Sequence, residues 1–131
     1  MTATPLAGRL ALVTGASRGI GAATAEALGR AGAHVILACR NLDKGRAAAD
    51  GMTGPGGVEV RALDLQNLAS VREFADGVSG ADVLINNAGI MAVPYALTAD
   101  GFESQIGTNH LGHFALTNLL LPKLTDRVVT V

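Results

Sequence analysis

Short apolar runs alternate with segments of helical spacing along this chain of 131 residues. The apolar runs predict five strands, at 10–13, 34–39, 58–63, 82–86 and from 127 onward. The segments between them predict four helices, at 20–30, from the N-cap Asn41 to 50, from the N-cap Asn67 to about 78, and from about 101 to 121, where Pro122 ends the last one. The glycine-rich stretch 51–57 predicts a loop.

This alternation predicts a doubly wound α/β fold with a parallel sheet and right-handed crossovers. In such sheets ligands bind at the carboxyl ends of the strands, near the point where the strand order reverses. Residues 1–131 carry no internal repeat or linker, so we expect one domain. The chain stops inside the fifth predicted strand, and we therefore expect the domain to be incomplete at its C-terminus.

Composition narrows the class of protein. Hydrophobic residues make up 49% of the chain and charged residues 16%, which suits a buried sheet and argues against disorder. A net charge of −1 gives no support for a nucleic-acid or anionic-membrane partner. The single Cys39 excludes an intrachain disulfide and fits a reducing compartment. No apolar stretch is long enough for a membrane span, and residues 1–8 resemble a frayed start more than a signal peptide, so we expect a cytoplasmic protein.

Residues 14–21 read Thr-Gly-Ala-Ser-Arg-Gly-Ile-Gly and stand between the first predicted strand and the first helix. Glycines let the backbone turn tightly and approach a pyrophosphate, while a helix N-terminus offers unpaired N–H groups and a positive dipole end. An ordinary loop is the alternative. An S-adenosylmethionine site is another, although it usually lacks the Thr-Gly start. The stretch favours a dinucleotide phosphate cradle.

Four motifs in this order resemble the short-chain dehydrogenase/reductase family: residues 14–21, Asp64-Leu65, the Asn-Asn-Ala-Gly of 86–89, and Asn109. The resemblance covers nearly the whole chain but only the N-terminal half of a usual family member. It implies a Rossmann-like, three-layer α/β/α fold and an oxidoreductase that passes hydride between a nicotinamide cofactor and a carbonyl or alcohol. Segment 108–114 looks most like members that act on apolar alcohols and carbonyls, including retinol dehydrogenases.

The resemblance also implies roles for individual residues. It assigns the pyrophosphate to Gly15, Ser17, Arg18, Gly19, Ile20 and Gly21, the adenine amino group to Asp64 with the Leu65 backbone, and the adenine-side ribose to Asn87, Ala88 and Gly89. Asp64 has the alternative of a strand-end cap, and Asn86 and Asn87 that of bonding neighbouring backbone. Asn109 resembles the active-site asparagine that interrupts a helix and holds a water in a proton relay, and a mid-helix asparagine is unfavourable by propensity.

Charge indicates which nicotinamide cofactor is bound. NAD sites usually place a carboxylate about 20 residues after the glycines, near the end of the second strand. Here the chain reads Ala38-Cys39-Arg40, with Asn41 next, and Asp43 belongs to the first turn of the following helix. Arg18 and Arg40 can meet a 2′-phosphate, with Asn41 as a further donor. We therefore expect NADP(H), with NAD(H) and solvated surface arginines as the alternatives.

The family's catalytic serine, tyrosine and lysine are not found in this chain. Tyr95 is its one tyrosine, residue 99 is alanine, and neither Lys44 nor Lys123 has the spacing that a Tyr-x-x-x-Lys pair needs. We expect no activity from this chain alone, and Asn109 is the remaining catalytic candidate. A catalytically inactive NADP-binding module and a non-functional fragment are the alternatives, and a homo-oligomer is an expectation for the intact enzyme only.

Two features of the last helix have ordinary explanations. His110 and His113 stand at helical spacing, but no acidic residue or cysteine lies beside them in the sequence, so we predict no metal site. The leucines that follow are predicted to be core and not a substrate pocket: Leu116, Leu119, Leu120 and Leu121.

Overall fold

A computed structural model of the protein describes residues 3–131. Its five strands form one sheet in the order β3-β2-β1-β4-β5, and each pair of neighbours is parallel. The strands are β1 (Leu10–Thr14), β2 (His34–Cys39), β3 (Val58–Ala62), β4 (Ala81–Asn86) and β5 (Leu124–Thr130). The predicted doubly wound, Rossmann-like α/β fold is therefore confirmed.

Helices connect the strands in strict alternation. Three of them are α1 (Gly19–Arg30), α2 (Leu42–Asp50) and α3 (Leu68–Asp76). After β4 a long loop leads into a composite helix, made of α4 (Ser104–Ile106), a π-helical turn (Gly107–Leu111), α5 (Gly112–Leu120) and a 3-10 turn (Leu121–Lys123). The predicted caps are confirmed, because Asn41 Oδ1 accepts from the Lys44 N–H and Asn67 Oδ1 from the Ala69 N–H, both at 3.0 Å.

Two predicted boundaries near the C-terminal end were wrong by three residues. The composite helix begins at Ser104, because Gly101 adopts a left-handed conformation and the Glu103 carboxylate caps the first helical N–H groups. Strand β5 begins at Leu124 and not at 127, because Leu124 pairs with Ala81 and the Thr125 hydroxyl donates to Asp82. The prediction relied on apolar runs, and the first residues of β5 are largely polar, so it placed the start of the strand too late.

The core lies on both faces of the sheet. On one face α3 and α5 cover the inner strands, and the buried residues include Leu12, Ile36, Val71, Phe74, Leu84, Leu116 and Leu120. On the other face α1 packs on β1 and β2 and α2 packs on β2 and β3, and the buried residues include Val13, Ala25, Val35, Leu37 and Ile85. Two layers of helices around one sheet are the three layers that the sequence resemblance implied.

Two leucines that were predicted to be core are exposed. Leu116 and Leu120 are fully buried, but Leu119 is 41% exposed and Leu121 58%. Residues four apart share one face of a helix, so Leu116 and Leu120 point together at the sheet while Leu119 does not. Leu121 lies in the 3-10 turn, beyond the end of α5.

The expectation of a frayed start was wrong for Leu6. Its N–H donates to the Ala31 carbonyl at 2.9 Å, and its side chain packs on the α1 side of the core. Met1 and Thr2 lie outside the described residues, and the expectation stays untested there. Within 3–131, no helix combines the length and the apolar character that a membrane crossing needs.

Leu84 lies at the centre of the sheet and is fully buried between the α3 and α5 layer and its neighbouring strands. We predict that Leu84→Ala lowers the free energy of unfolding by about 2–5 kcal/mol, because it removes buried methyl groups and leaves a cavity. Urea denaturation followed by circular dichroism measures the change. Leu121→Ala is the matched control at a site 58% exposed. A loss of under about 1 kcal/mol for Leu84→Ala would contradict this core assignment.

Candidate functional site

The strand order reverses at β1, which has β2 on one side and β4 on the other. A cleft of about 270 Å³ opens at the carboxyl ends of these strands, where doubly wound sheets place their ligands. The structure brings together there most of the residues singled out from the sequence: Gly15, Ser17, Arg18, Arg40, Asn41, Asp64, Leu65, Ala88 and Gly89. Gly19, Ile20, Gly21, Asn87 and Asn109 lie outside the lining of this cleft.

The glycines of the turn after β1 do different things. A side chain at Gly15, where φ is +62°, would lie 2.7 Å from the Ala88 Cα. A side chain at Gly21 would collide with the Gly15 carbonyl oxygen and lie 2.5 Å from Asn87 Nδ2. Gly19, where φ is +60°, has open space around its missing Cβ. Gly15 and Gly21 therefore permit close packing, while Gly19 leaves room beside the start of α1, where Ile20 is 67% exposed.

The N-terminus of α1 differs from those of the next two helices. Asn41 and Asn67 cap α2 and α3, whereas α1 has neither a side-chain cap nor an acidic residue in its first turn within the described part of the chain. Its first N–H groups and the positive end of its dipole are left without a side-chain partner. Such a terminus next to a glycine turn is suited to bind an anion.

Thr14 joins the turn after β1 to the loop after β4. Its hydroxyl oxygen accepts from the Asn87 N–H at 2.9 Å and from the Ala88 N–H at 3.0 Å. In return Asn87 Nδ2 donates to the Thr14 and Gly15 carbonyls at 3.1 and 3.2 Å. The backbone-bonding interpretation of Asn87 is thus confirmed, and Ala88 is held against the glycine turn. Asn86 bonds a side chain instead, since its Nδ2 donates to the Thr117 hydroxyl.

Asp64 follows β3 and lines the cleft. Its Oδ1 accepts from the Gln66 N–H at 2.9 Å, and its own N–H donates to the Ser70 hydroxyl at 2.9 Å. The residue therefore closes the turn after the strand, which was the structural alternative, and also faces the cleft. The two roles are compatible because a carboxylate has four lone-pair sites.

The charge of the cleft is positive. Arg18, Arg40 and Lys44 line it, against Asp64 as the one acidic residue among the described lining residues. Asp43 does not line it, because it lies in the first turn of α2, as predicted, and pairs with Arg46 at 3.7 Å. Guanidinium groups bind phosphate well, so the end of the cleft beside β2 favours an anionic ligand.

Sequence reasoning missed several residues of the cleft: Lys44, Leu63, Gln66, Ile90 and Thr108. Lys44 carried a usable signal, since it lies in the first turn of the helix that Asn41 caps. Thr108 carried none. Its hydroxyl oxygen is buried and has no hydrogen-bond partner within residues 3–131. A buried hydroxyl without a partner is costly, so Thr108 is a position where a ligand can supply the missing bond.

Asn109 lies in the π-helical turn, where the sequence indicated a distortion of the helix. Its Oδ1 accepts from the Ile90 N–H at 2.8 Å and its Nδ2 donates to the Ile90 carbonyl at 2.9 Å. Both ends of the amide are thus engaged with the loop after β4. Asn109 also lines a second cleft of about 310 Å³ beside β5, which includes Asn86 and Phe114.

The two histidines of the composite helix have different surroundings. His113 is 5% exposed, with Nε2 at 2.8 Å from the Thr14 hydroxyl oxygen and Nδ1 at 3.3 Å from the Asn109 carbonyl oxygen. Burial lowers the pKa of His113 below its ordinary value of 6.5. His110 is exposed and lies near the ring of Phe114. Within the described chain no three His, Cys, Asp or Glu side chains lie close enough to hold a metal.

A doubly wound sheet with a glycine turn, an uncapped helix terminus and a basic cleft at the strand reversal is the arrangement with which many α/β proteins bind nucleotides. The family model for the short chain dehydrogenase matches residues 9–130. The chain belongs to this family of oxidoreductases.

Individual relatives agree with the family. Mouse (Mus musculus) retinol dehydrogenase 11 is 52% identical over 128 residues, which are 92% of this chain. The crystal structure of an uncharacterised protein from Mycobacterium paratuberculosis has 71% identity and a TM-score of 0.91 over 96% of this chain and 46% of that one. A metagenomic short-chain oxidoreductase in complex with NADP has 33% identity and a TM-score of 0.82 over 96% of this chain and 62% of that one. The chain spans about 40% of the length of the mouse relative.

Gly21 and Gly29 both lie in α1 and allow a matched test of the glycine turn. We predict that Gly21→Ala lowers the melting temperature by several degrees, since the new Cβ collides with the Gly15 carbonyl and displaces Asn87. Gly29→Ala is the control, because its Cβ would meet nothing closer than 3.8 Å and alanine favours the helix. Differential scanning calorimetry compares them. Equal melting temperatures for the two variants would show that the turn does not need a glycine at 21.

The buried His113 makes stability depend on pH. Because its folded pKa lies below 6.5, the unfolded chain takes up a proton that the folded chain rejects. We predict that the free energy of unfolding is constant between about pH 6.5 and about pH 8 and falls as the pH drops toward the folded pKa. Asp82 and Glu103 also have lowered pKa values, but they titrate in a more acidic range, below 3.8 and 4.5.

Urea denaturation between pH 7 and pH 5 measures this slope. His113→Gln is expected to flatten it, while the exposed His110→Gln serves as the control that keeps it. A slope that survives His113→Gln unchanged would assign the proton uptake to another group.

Proposed function

We propose that this chain is the cofactor-binding part of an NADP(H)-dependent short-chain dehydrogenase/reductase that acts on a small apolar alcohol or carbonyl. The observation that carries the proposal is the basic cleft at the carboxyl end of the sheet, lined by Arg18, Arg40 and Lys44. The NADP complex of a family member with the same fold supports the choice of cofactor. The names of the retinol dehydrogenase relatives support the apolar substrate class.

The residues present fit a dinucleotide. The glycine turn with Ser17, together with the bare N-terminus of α1, would hold the pyrophosphate, and Gly19 has the open space that this requires. Asp64, Leu65 and the loop of Asn87, Ala88 and Gly89 would hold the adenosine. The Thr108 hydroxyl, which has no hydrogen-bond partner within residues 3–131, lines the same cleft.

The end of the cleft beside β2 would hold the 2′-phosphate that distinguishes NADP from NAD. Arg18 and Arg40 offer guanidinium donors there, and Asn41 keeps its amide N–H₂ because only its oxygen caps α2. The residues at the end of β2, Ala38 and Cys39, carry no carboxylate for a free ribose 2′-hydroxyl.

Hydride transfer needs catalytic groups that this chain does not supply. The bound nicotinamide would accept or deliver hydride, and a general acid/base would move the proton. Tyr95 is the chain's one tyrosine, and it is 79% exposed with alanine four residues later. We therefore propose that residues 1–131 bind cofactor but do not turn over substrate. A catalytically inactive binding module would have the same cleft as the cofactor-binding part of an enzyme. In both cases this chain alone is inactive, so carbonyl-dependent NADPH oxidation by it would refute both proposals.

The 2′-phosphate contacts can be tested by comparing NADPH with NADH. We predict that Arg40→Ala weakens NADPH binding by about tenfold to a hundredfold, because a charge-assisted hydrogen bond contributes roughly 1.5–3 kcal/mol. NADH affinity is expected to change little, since NADH lacks the 2′-phosphate. Fluorescence titration measures both dissociation constants.

Arg30→Ala is the matched control, because Arg30 lies at the far end of α1 and pairs with Glu26. NADH binding at least as tight as NADPH binding by the unsubstituted chain would refute the choice of cofactor. Equal losses for both cofactors in Arg40→Ala would place Arg40 elsewhere on the ligand.

A further inference from the structure

The hydroxyl of Thr14 determines the protonation state of the ring that faces it. A threonine hydroxyl has one proton and two lone pairs. Its oxygen already accepts from the N–H groups of Asn87 and Ala88. The proton is therefore left for the third neighbour, His113 Nε2, at 2.8 Å. Nε2 must be the acceptor and carries no proton.

The other ring nitrogen follows from this. A neutral imidazole carries one proton, so it lies on Nδ1, which donates to the Asn109 carbonyl oxygen at 3.3 Å. A charged ring would place a second N–H against a threonine oxygen with no lone pair to spare. The other titratable side chain that lines the cleft beside His113 is His110, which is exposed. Burial of the ring lowers the pKa of His113 and acts in the same direction.

His113 thus completes a hydrogen-bonded network beside the cofactor cleft, although it does not line the cleft. The Thr14 hydroxyl bonds the loop of Asn87 and Ala88. Further along the same loop, the Asn109 side chain bonds the backbone of Ile90. The Asn109 carbonyl in turn bonds His113. Ala88 and Ile90 line the cleft, whereas His113 does not. A change in the hydrogen bonds of the His113 imidazole would therefore move Ala88 and Ile90 in the wall of the cleft.

We propose that His113 is a positioning residue: as the neutral Nδ1–H tautomer it fixes the spacing between Thr14 and the Asn109 carbonyl, and with it the cofactor cleft. The part of this inference that concerns cofactor binding rests on the proposed function. A metal-ligand role does not fit, since Nε2 and Nδ1 are both engaged. A packing role alone predicts that an aromatic ring of similar size would serve equally well.

Nitrogen-15 NMR of the labelled imidazole tests the tautomer in the unsubstituted chain. We expect a protonated Nδ1 and an unprotonated Nε2 at pH 7. A protonated Nε2, in either the neutral or the charged ring, would overturn the inference. This readout needs neither a variant nor a bound cofactor.

His113→Phe keeps the ring and removes both hydrogen bonds. We expect the amides of Asn87 and Ala88 to exchange about tenfold faster in it, while the Lys44 amide, bonded to Asn41, stays unchanged as the internal reference. NADPH affinity is expected to fall by about tenfold. His113→Gln, whose amide oxygen can reach the position of Nε2, is expected to restore most of both properties.

Unchanged exchange and unchanged NADPH affinity in His113→Phe would show that the residue only fills space. Failure of the unsubstituted chain to bind NADPH would refute the proposed function instead, and the tautomer and the exchange rates would still decide the role of His113. If His113→Phe does not fold, the tautomer and the comparison of His113→Gln with the unsubstituted chain decide it.

Discussion

The buried hydroxyl of Thr14 is the contact on which the geometry of the site depends. It is 1% exposed at the end of the central strand and accepts from two backbone N–H groups of the loop after β4. Without that acceptor the loop would be joined to the glycine turn by the Asn87 side chain alone, and two N–H groups would be left unpaired in a partly buried place. The glycines at 15 and 21 allow the same approach from the side of the turn.

Around this contact the chain leaves one helix terminus open. The N-termini of α2 and α3 are satisfied by asparagine caps, and the carboxylate of Glu103 caps α4. The N-terminus of α1 has no such side chain within residues 3–131, and basic side chains stand beside it at the cleft. Unpaired donors and positive charge in one place attract an anion. The function proposed for the chain follows from this imbalance.

Local signals were enough to predict the sheet, the glycine turn and the helix caps. Strand β2 is a continuous apolar run, and the caps Asn41 and Asn67 act on N–H groups two or three residues away. The link between Thr14 and His113 spans 99 residues, and no local pattern contains it. The sequence indicated a distortion at Asn109, but the bond partner of that side chain, Ile90, is set by how two loops pack. Leu119 was wrongly predicted to be core, because apolar character alone does not show which face of α5 meets the sheet.

The central claim is that the cleft binds a 2′-phosphorylated adenosine through Arg18 and Arg40. Titrating the nitrogen-15-labelled chain with 2′,5′-ADP, a probe with no nicotinamide, tests this by amide chemical shifts. We predict saturable shifts confined to the turn at 15–19, the start of α2, the residues around Asp64 and the loop at 87–89, with much weaker binding of 5′-AMP. No saturable shifts, or equal affinity for the two nucleotides, would contradict it.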